Sequence, residues 1–109
     1  MPSGNIGCVY APPADGRAAA LRCDILSGLV PEPTRACPVD WTGLGMNGRK
    51  RGHAVCAGDT VYESGAPKLR YGRTWRKGIF HCKARTTGLT CLNTADHGFF
   101  LRRESWRVF

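Results

Sequence analysis

Six cysteines in a chain of 109 residues are the feature that most constrains the fold. Their number is even and their density is high, as is typical of small proteins that use disulfides in an oxidising compartment. Zinc is the alternative partner for so many thiols, but the sequence contains no Cys-x-x-Cys pair. The cysteines therefore predict three disulfides and no metal site, and no motif indicates a cofactor.

The length of the chain supports one modest core, so we predict a single domain over residues 1–109. No apolar segment is long enough to cross a bilayer. The sequence opens without a basic segment followed by an apolar one, so we expect a mature form in which a leader was removed and Met1 is an added initiator. With the cysteines, this predicts a secreted protein, either extracellular or located in the periplasm or cell envelope.

Glycine and proline divide the sequence into short segments without helical apolar spacing, which predicts an all-β fold of antiparallel hairpins. Residues 6–10 and 21–25 are the two arms of the first hairpin. One register places Arg22 and Asp24 on one side and apolar residues on the other. The apolar pairs of that register are Ile6 with Ile25, Cys8 with Cys23, and Tyr10 with Leu21.

A second hairpin is predicted near the end of the chain, where a turn ending at Gly88 brings Cys82 opposite Cys91. The remaining two cysteines then pair by elimination. Six cysteines allow 15 connectivities, and this reasoning favours the sequential one. The predicted disulfides are Cys8–Cys23, Cys37–Cys56 and Cys82–Cys91.

The net charge of +8 lies in the second half of the chain, since residues 49–109 carry thirteen basic and four acidic side chains. A one-sided basic surface attracts nucleic acid, acidic glycans, an anionic cell envelope or an acidic protein. The alternative is a solvated surface that keeps the protein soluble. The charge asymmetry therefore indicates a class of partner without naming one.

The segment 68–77 has the densest mixture of cations and aromatic rings, with five cations and two aromatics in ten residues. Arginine binds phosphate or carboxylate, and an exposed ring stacks on a base or a sugar. The alternative is that Tyr71 and Trp75 belong to the core, as we predict for Trp41 and Trp106. The candidate ligand-binding residues are Arg70, Tyr71, Arg73, Trp75, Arg76 and Lys77.

A second basic segment, Arg49-Lys50-Arg51, lies between two glycines and predicts a mobile loop that contacts phosphates or stays hydrated. The surrounding residues 43–52 suggest a further function, in which a rigid loop framed by disulfides inhibits a foreign enzyme by entering its acidic cleft.

Three histidines, His53, His81 and His97, raise the alternative of a secreted ribonuclease-like hydrolase. Residues 71–76 and 93–97 are similar to the segments that carry the catalytic base and acid in small bacterial guanyl-preferring ribonucleases. The catalytic glutamate of those enzymes directly follows the Trp-Arg pair, and Lys77 stands there in this sequence. Only His97 then remains as a candidate acid, so no catalytic residue is assigned.

Several segments together carry a resemblance that spans nearly the whole chain and includes all six cysteines. They are PSGNIGC at 2–8, LRCDI at 21–25, CAGDTV at 56–61, YGRTW at 71–75, TGLTCLN at 87–93 and HGF at 97–99. The sequence resembles a family of small exported bacterial proteins with a domain of unknown function. The resemblance implies export but does not indicate an activity. From the charge asymmetry we predict a non-catalytic exported module that binds an anionic envelope component, an extracellular polymer or an acidic protein.

Overall fold

The computed structural model describes residues 5–62 and 69–109, and this part of the chain contains nine β-strands and no helix. The predicted all-β class is therefore confirmed. The strands are β1 (Ile6–Ala11), β2 (Ala20–Ile25), β3 (Asp40–Asn47), β4 (His53–Ala57), β5 (Thr74–Lys77), β6 (Phe80–Arg85), β7 (Gly88–Asn93), β8 (Gly98–Leu101) and β9 (Trp106–Val108).

The strands form two antiparallel sheets in which every neighbour in the sheet is also the next strand in sequence. The first sheet has the order β1-β2-β3-β4 and the second has the order β5-β6-β7-β8-β9. Both predicted hairpins are present in their predicted registers, with Cys8 opposite Cys23 and Cys82 opposite Cys91. Local apolar pairing therefore sets the register of each hairpin.

All three disulfides connect the cysteines in sequential order, as predicted. The Cys8–Cys23 and Cys82–Cys91 bonds join directly opposed strands, with Cα–Cα distances of 4.0 Å. The third bond links Cys37, which lies outside the strands, to Cys56 in β4 across 5.9 Å. Two disulfides therefore lie within hairpins and one holds the connection that precedes β3.

The core consists of apolar side chains from both sheets, and its largest members are almost completely buried. The first sheet contributes Leu21, Leu44 and Met46, and the second contributes Phe80, Phe99 and Leu101. Trp41 is also buried, as predicted from sequence. Trp106 is only partly buried at the core boundary, and its indole N–H donates to the carbonyl of Pro31 at 2.6 Å.

Residues 59–62 cover part of the outward face of the first sheet. Asp24 lies on that face, as predicted, yet it is only 1% exposed. Its carboxylate accepts hydrogen bonds from the Arg22 guanidinium at 2.9 and 3.0 Å and from the Val61 backbone N–H at 2.9 Å. Arg22 also donates to Asp59 at 3.3 Å. These charges therefore bind each other on the covered side of the first sheet.

Candidate anion-binding face on the second sheet

Basic side chains alternate with core residues along the second sheet. In β6, Phe80, Cys82 and Ala84 are buried in the core, and the residues between them point outward. The antiparallel register then sets the outward residues of the other strands beside them. We call this surface the basic face; it consists of Thr74, Arg76, His81, Lys83, Arg85, Thr90, Leu92, Phe100 and Arg107.

A surface depression of about 370 Å³ occupies the part of the basic face formed by β5, β6 and β7. Arg76 lies directly opposite His81, and Lys83 lies between Thr74 and Thr90 on the neighbouring strands. The lining residues are Thr74, Arg76, His81, Lys83, Arg85, Thr90 and Leu92. The depression thus combines three permanent cations, one imidazole and two hydroxyl groups, and none of its lining residues is a carboxylate.

The cations of the basic face form no ion pair with any acidic group in the part of the chain that the structure describes. Within residues 5–62 and 69–109, the ion pairs join Arg22 to Asp24 and Asp59, and Arg102 to Glu104. None of these residues belongs to the basic face. Guanidinium and ammonium groups without an acidic partner keep their hydrogen-bond donors available to a ligand. The face is therefore suited to groups that accept hydrogen bonds and carry negative charge.

The candidate residues at the start of segment 68–77 lie in the turn that leads into β5. Arg70, Tyr71 and Arg73 are all exposed, and the positive φ of 82° at Gly72 shapes the turn. The backbone N–H of Gly72 donates to the carbonyl of Ala84 at 2.7 Å, which holds the turn beside the end of β6. Lys68 lies outside the described residues.

The remaining three candidates are divided between the two sides of β5. Arg76 points outward and lines the depression. Trp75 is half-buried against the core, where its ring meets Tyr10 edge-on with centroids 6.4 Å apart. The Lys77 ammonium lies 5.7 Å from the centre of the same tyrosine ring. The alternation of side chains along β5 thus places residues that were predicted as one patch on opposite sides of the strand. Of the six candidates, only Arg76 lines the depression.

Sequence reasoning did not assign most of the residues that the structure brings together on this face. It searched for cations that are consecutive in the chain, whereas a strand presents every second residue to one side. The alternation of Phe80, Cys82 and Ala84 with polar neighbours was the available signal. Applied through the predicted Cys82–Cys91 register, it places Lys83 beside Thr90.

The basic loop at residues 49–51 is anchored, contrary to the prediction that it is mobile. The Asn93 side chain is fully buried, and its amide donates to the carbonyls of Gly48 at 3.2 Å and Lys50 at 2.9 Å. The Arg49 guanidinium also donates to the hydroxyl of Thr94 at 2.9 Å. These bonds fix the β3–β4 loop against the turn between β7 and β8. Residues 43–47 of the proposed inhibitory loop belong to strand β3.

The three histidines occupy separate places in the fold. His53 is in β4, where burial lowers its pKa below the ordinary value of 6.5 and the nearby positive charge of Arg35 lowers the pKa further. His81 is on the basic face, and His97 lies in the turn before β8. Among the described residues, no carboxylate forms an ion pair or hydrogen bond with any of these imidazoles.

The described residues show no cluster of three or more histidine, cysteine or acidic side chains that could hold a metal ion. They also include no helix of the length and apolarity needed to cross a membrane.

Together, the two sheets, the three disulfides and the basic face define a small disulfide-stabilised β protein with a cationic sheet surface. The model described as "Family of unknown function (DUF6636)" matches residues 1–109, and the chain belongs to this family. The predicted resemblance to a family of unknown function is thus confirmed over the whole chain. Neither the comparison with curated proteins nor that with solved structures found a match.

Proposed function

We propose that this protein is a non-catalytic binding module that holds an anionic polymer on the basic face. The observation that carries this proposal is the cation set of Arg76, Lys83 and Arg85 around one depression, which has no ion pair and no lining carboxylate among the described residues. A repeating polyanion supplies several negative groups at once, so several weak charge contacts add to a stable complex. Arg107 extends the same surface to the far edge of the sheet.

The proposal includes export to an oxidising compartment, such as the cell envelope or the extracellular space. The three disulfides support this location because such bonds persist where thiols are not kept reduced. The ligand would then be an envelope or extracellular polyanion. An acidic protein would present its carboxylates to the same donors, and competition experiments separate it from a polymer.

The test measures binding of the oxidised protein to end-labelled inorganic polyphosphate by fluorescence anisotropy at low and high salt. We expect the double variant Arg76→Ser/Arg85→Ser to bind at least about fivefold more weakly at low salt and to show a shallower salt dependence. Both arginines are exposed, so the substitutions should leave the fold unchanged.

The matched control is Arg17→Ser/Arg103→Ser, which removes two exposed arginines outside the basic face and lowers the net charge equally. Equal weakening by the two double variants would show that only net charge matters and would refute the proposed site. Cleavage of a labelled RNA that is lost in His97→Ala would refute the non-catalytic role. Failure to bind any polyanion at low salt would refute the proposal as a whole.

A further inference from the structure

The Phe100 ring on the basic face packs directly against the backbone of Gly88. Phe100 is partly exposed and belongs to β8, between two strands that place Thr90 on one side and Arg107 on the other. Its ring lies over Gly88 of β7: a Cβ built on Gly88 would come within 2.7 Å of the ring's Cζ atom and 2.9 Å of its Cε1 atom. The ring thus occupies the space that a side chain at residue 88 would need.

One part of the Phe100 ring packs on the backbone of Gly88, and another part is exposed at the surface. A glycine at residue 88 is required both by the ring and by the backbone, since φ there is +145°. The ring cannot turn toward the core, because the side chains of Phe99 and Leu101 already fill the inward side of β8. Phe100 therefore presents an aromatic surface on the outside of the sheet.

Cationic residues stand on both sides of Phe100 in the sheet. Arg107 is its partner on β9, with the guanidinium 5.7 Å from the centre of the Phe109 ring, and Arg85 is the partner of Gly88, over which the Phe100 ring sits. In the same cross-strand row, Lys83 is separated from Phe100 only by Thr90. With about 4.8 Å between neighbouring strands, the row from Lys83 to Arg107 spans about 14 Å. A ligand that follows this row meets positive charge, a flat ring and positive charge again.

The chemistry of this row favours one class of polyanion over the others. The basic face offers many hydrogen-bond donors, whereas the threonine hydroxyls are the main acceptors and no side-chain carboxylate or amide belongs to it. Glycan hydroxyls both donate and accept hydrogen bonds, and the face offers few acceptors for their protons, so glycans match it less well. Single-stranded nucleic acid combines acceptor-rich phosphates with flat bases that are free to stack, and a duplex keeps its bases stacked inside.

We propose that the basic face binds single-stranded nucleic acid, with one base stacked on Phe100 and the flanking phosphates on Arg85 and Arg107. This inference rests on the proposed function, because it names the polyanion that the same surface holds. It requires no base sequence, since every base has a flat face.

The test compares three labelled probes of equal charge: a single-stranded DNA oligonucleotide, an abasic oligonucleotide of the same length, and inorganic polyphosphate. The variant Phe100→Leu keeps an apolar side chain over Gly88 but removes the aromatic surface, and Phe100→Tyr keeps that surface. We expect Phe100→Leu to weaken binding of the base-containing strand about five- to 100-fold and to leave the two other probes unchanged. Phe100→Tyr should bind like the original protein.

Tyr71→Ala is the matched control, because it removes an exposed aromatic ring from the turn before β5 rather than from the row. Equal affinity for the base-containing and abasic strands would overturn the stacking inference while leaving polyanion binding intact. Tighter binding of duplex DNA or of a sulfated glycan, insensitive to Phe100→Leu, would overturn it in the same way. Loss of all salt-sensitive binding would instead refute the proposed function itself.

Discussion

The buried carboxylate of Asp24 holds residues 59–62 against the outward face of the first sheet. Asp24 accepts hydrogen bonds from Arg22 and from the backbone of Val61, and it is almost inaccessible to water. The Asp24 carboxylate thus satisfies one donor that is 2 residues away in sequence and another that is 37 residues away. Nothing in the local pattern around Asp24 predicts such a contact, because alternation indicates the side of the sheet and not what covers it.

Asp24→Ala should destabilise the protein by about 2–4 kcal/mol, because the Arg22 guanidinium and the Val61 N–H would lose their acceptor in a partly buried place. Urea unfolding of the oxidised protein measures the change in free energy of unfolding. Glu32→Ala, which removes an exposed acidic residue, should have an effect within about 0.5 kcal/mol. Similar losses in the two variants would show that Asp24 contributes only its charge.

His53 should make the stability of the protein depend on pH. Burial and Arg35 lower the pKa of His53 in the folded state, so the unfolded chain binds a proton more readily than the folded one. The free energy of unfolding therefore falls as the pH decreases below the ordinary value of 6.5, and this contribution is absent at higher pH. Urea midpoints at pH 5 and pH 8 measure it.

His53→Gln provides the comparison, since glutamine does not titrate. We expect the difference in stability between pH 8 and pH 5 to be smaller in this variant than in the original protein. Parallel pH curves for the two proteins would show that His53 is not the group responsible.

For the strands, the sequence predicted which segments pair as hairpins, but it did not predict which side chains lie together on one face of a sheet. The register of β1 with β2 follows from three local apolar pairs, and a slip by one residue would expose all of them. The same is true of β6 and β7 around Cys82 and Cys91. By contrast, the position of Arg76 relative to Arg85 and Arg107 requires knowing how five strands join, which a search for consecutive cations does not provide.

The β3–β4 loop illustrates a second limit of sequence reasoning. Its glycines and cations are typical of a mobile surface loop, and its sequence contains no sign of an anchor. The anchor is Asn93, more than forty residues further along the chain. Contacts of this kind depend on how the two sheets pack against each other, which no local pattern encodes.

Asn93→Ala should release this loop and cost about 2–4 kcal/mol, because two carbonyls of the loop and the backbone N–H groups of Ala95 and His97 would lose their partner. Amide hydrogen exchange should accelerate at residues 48–52 and 94–97. Asn47→Ala, at an exposed position at the end of β3, is the control. Exchange that accelerates equally throughout the chain would indicate general destabilisation and not a local anchor.

For the whole molecule, the disulfides contribute free energy on the scale of the total stability. Each closed loop stabilises the fold by about 2–4 kcal/mol, and small domains have about 5–15 kcal/mol in all. Full reduction should therefore unfold the protein or lower its urea midpoint sharply. Circular dichroism during urea titration, with thiol counting to verify reduction, measures this effect. An unchanged midpoint after complete reduction would show that the two-sheet core is sufficient.

The order of the strands also has a consequence for biogenesis. Within each sheet, every strand pairs with the next one along the chain, and the six cysteines bond as three consecutive pairs. A polypeptide that emerges from its N-terminus thus completes one hairpin and one crosslink before the residues of the following pair appear. Oxidation can proceed in a single vectorial pass without reshuffling, since the correct partner is the nearest thiol available at each stage.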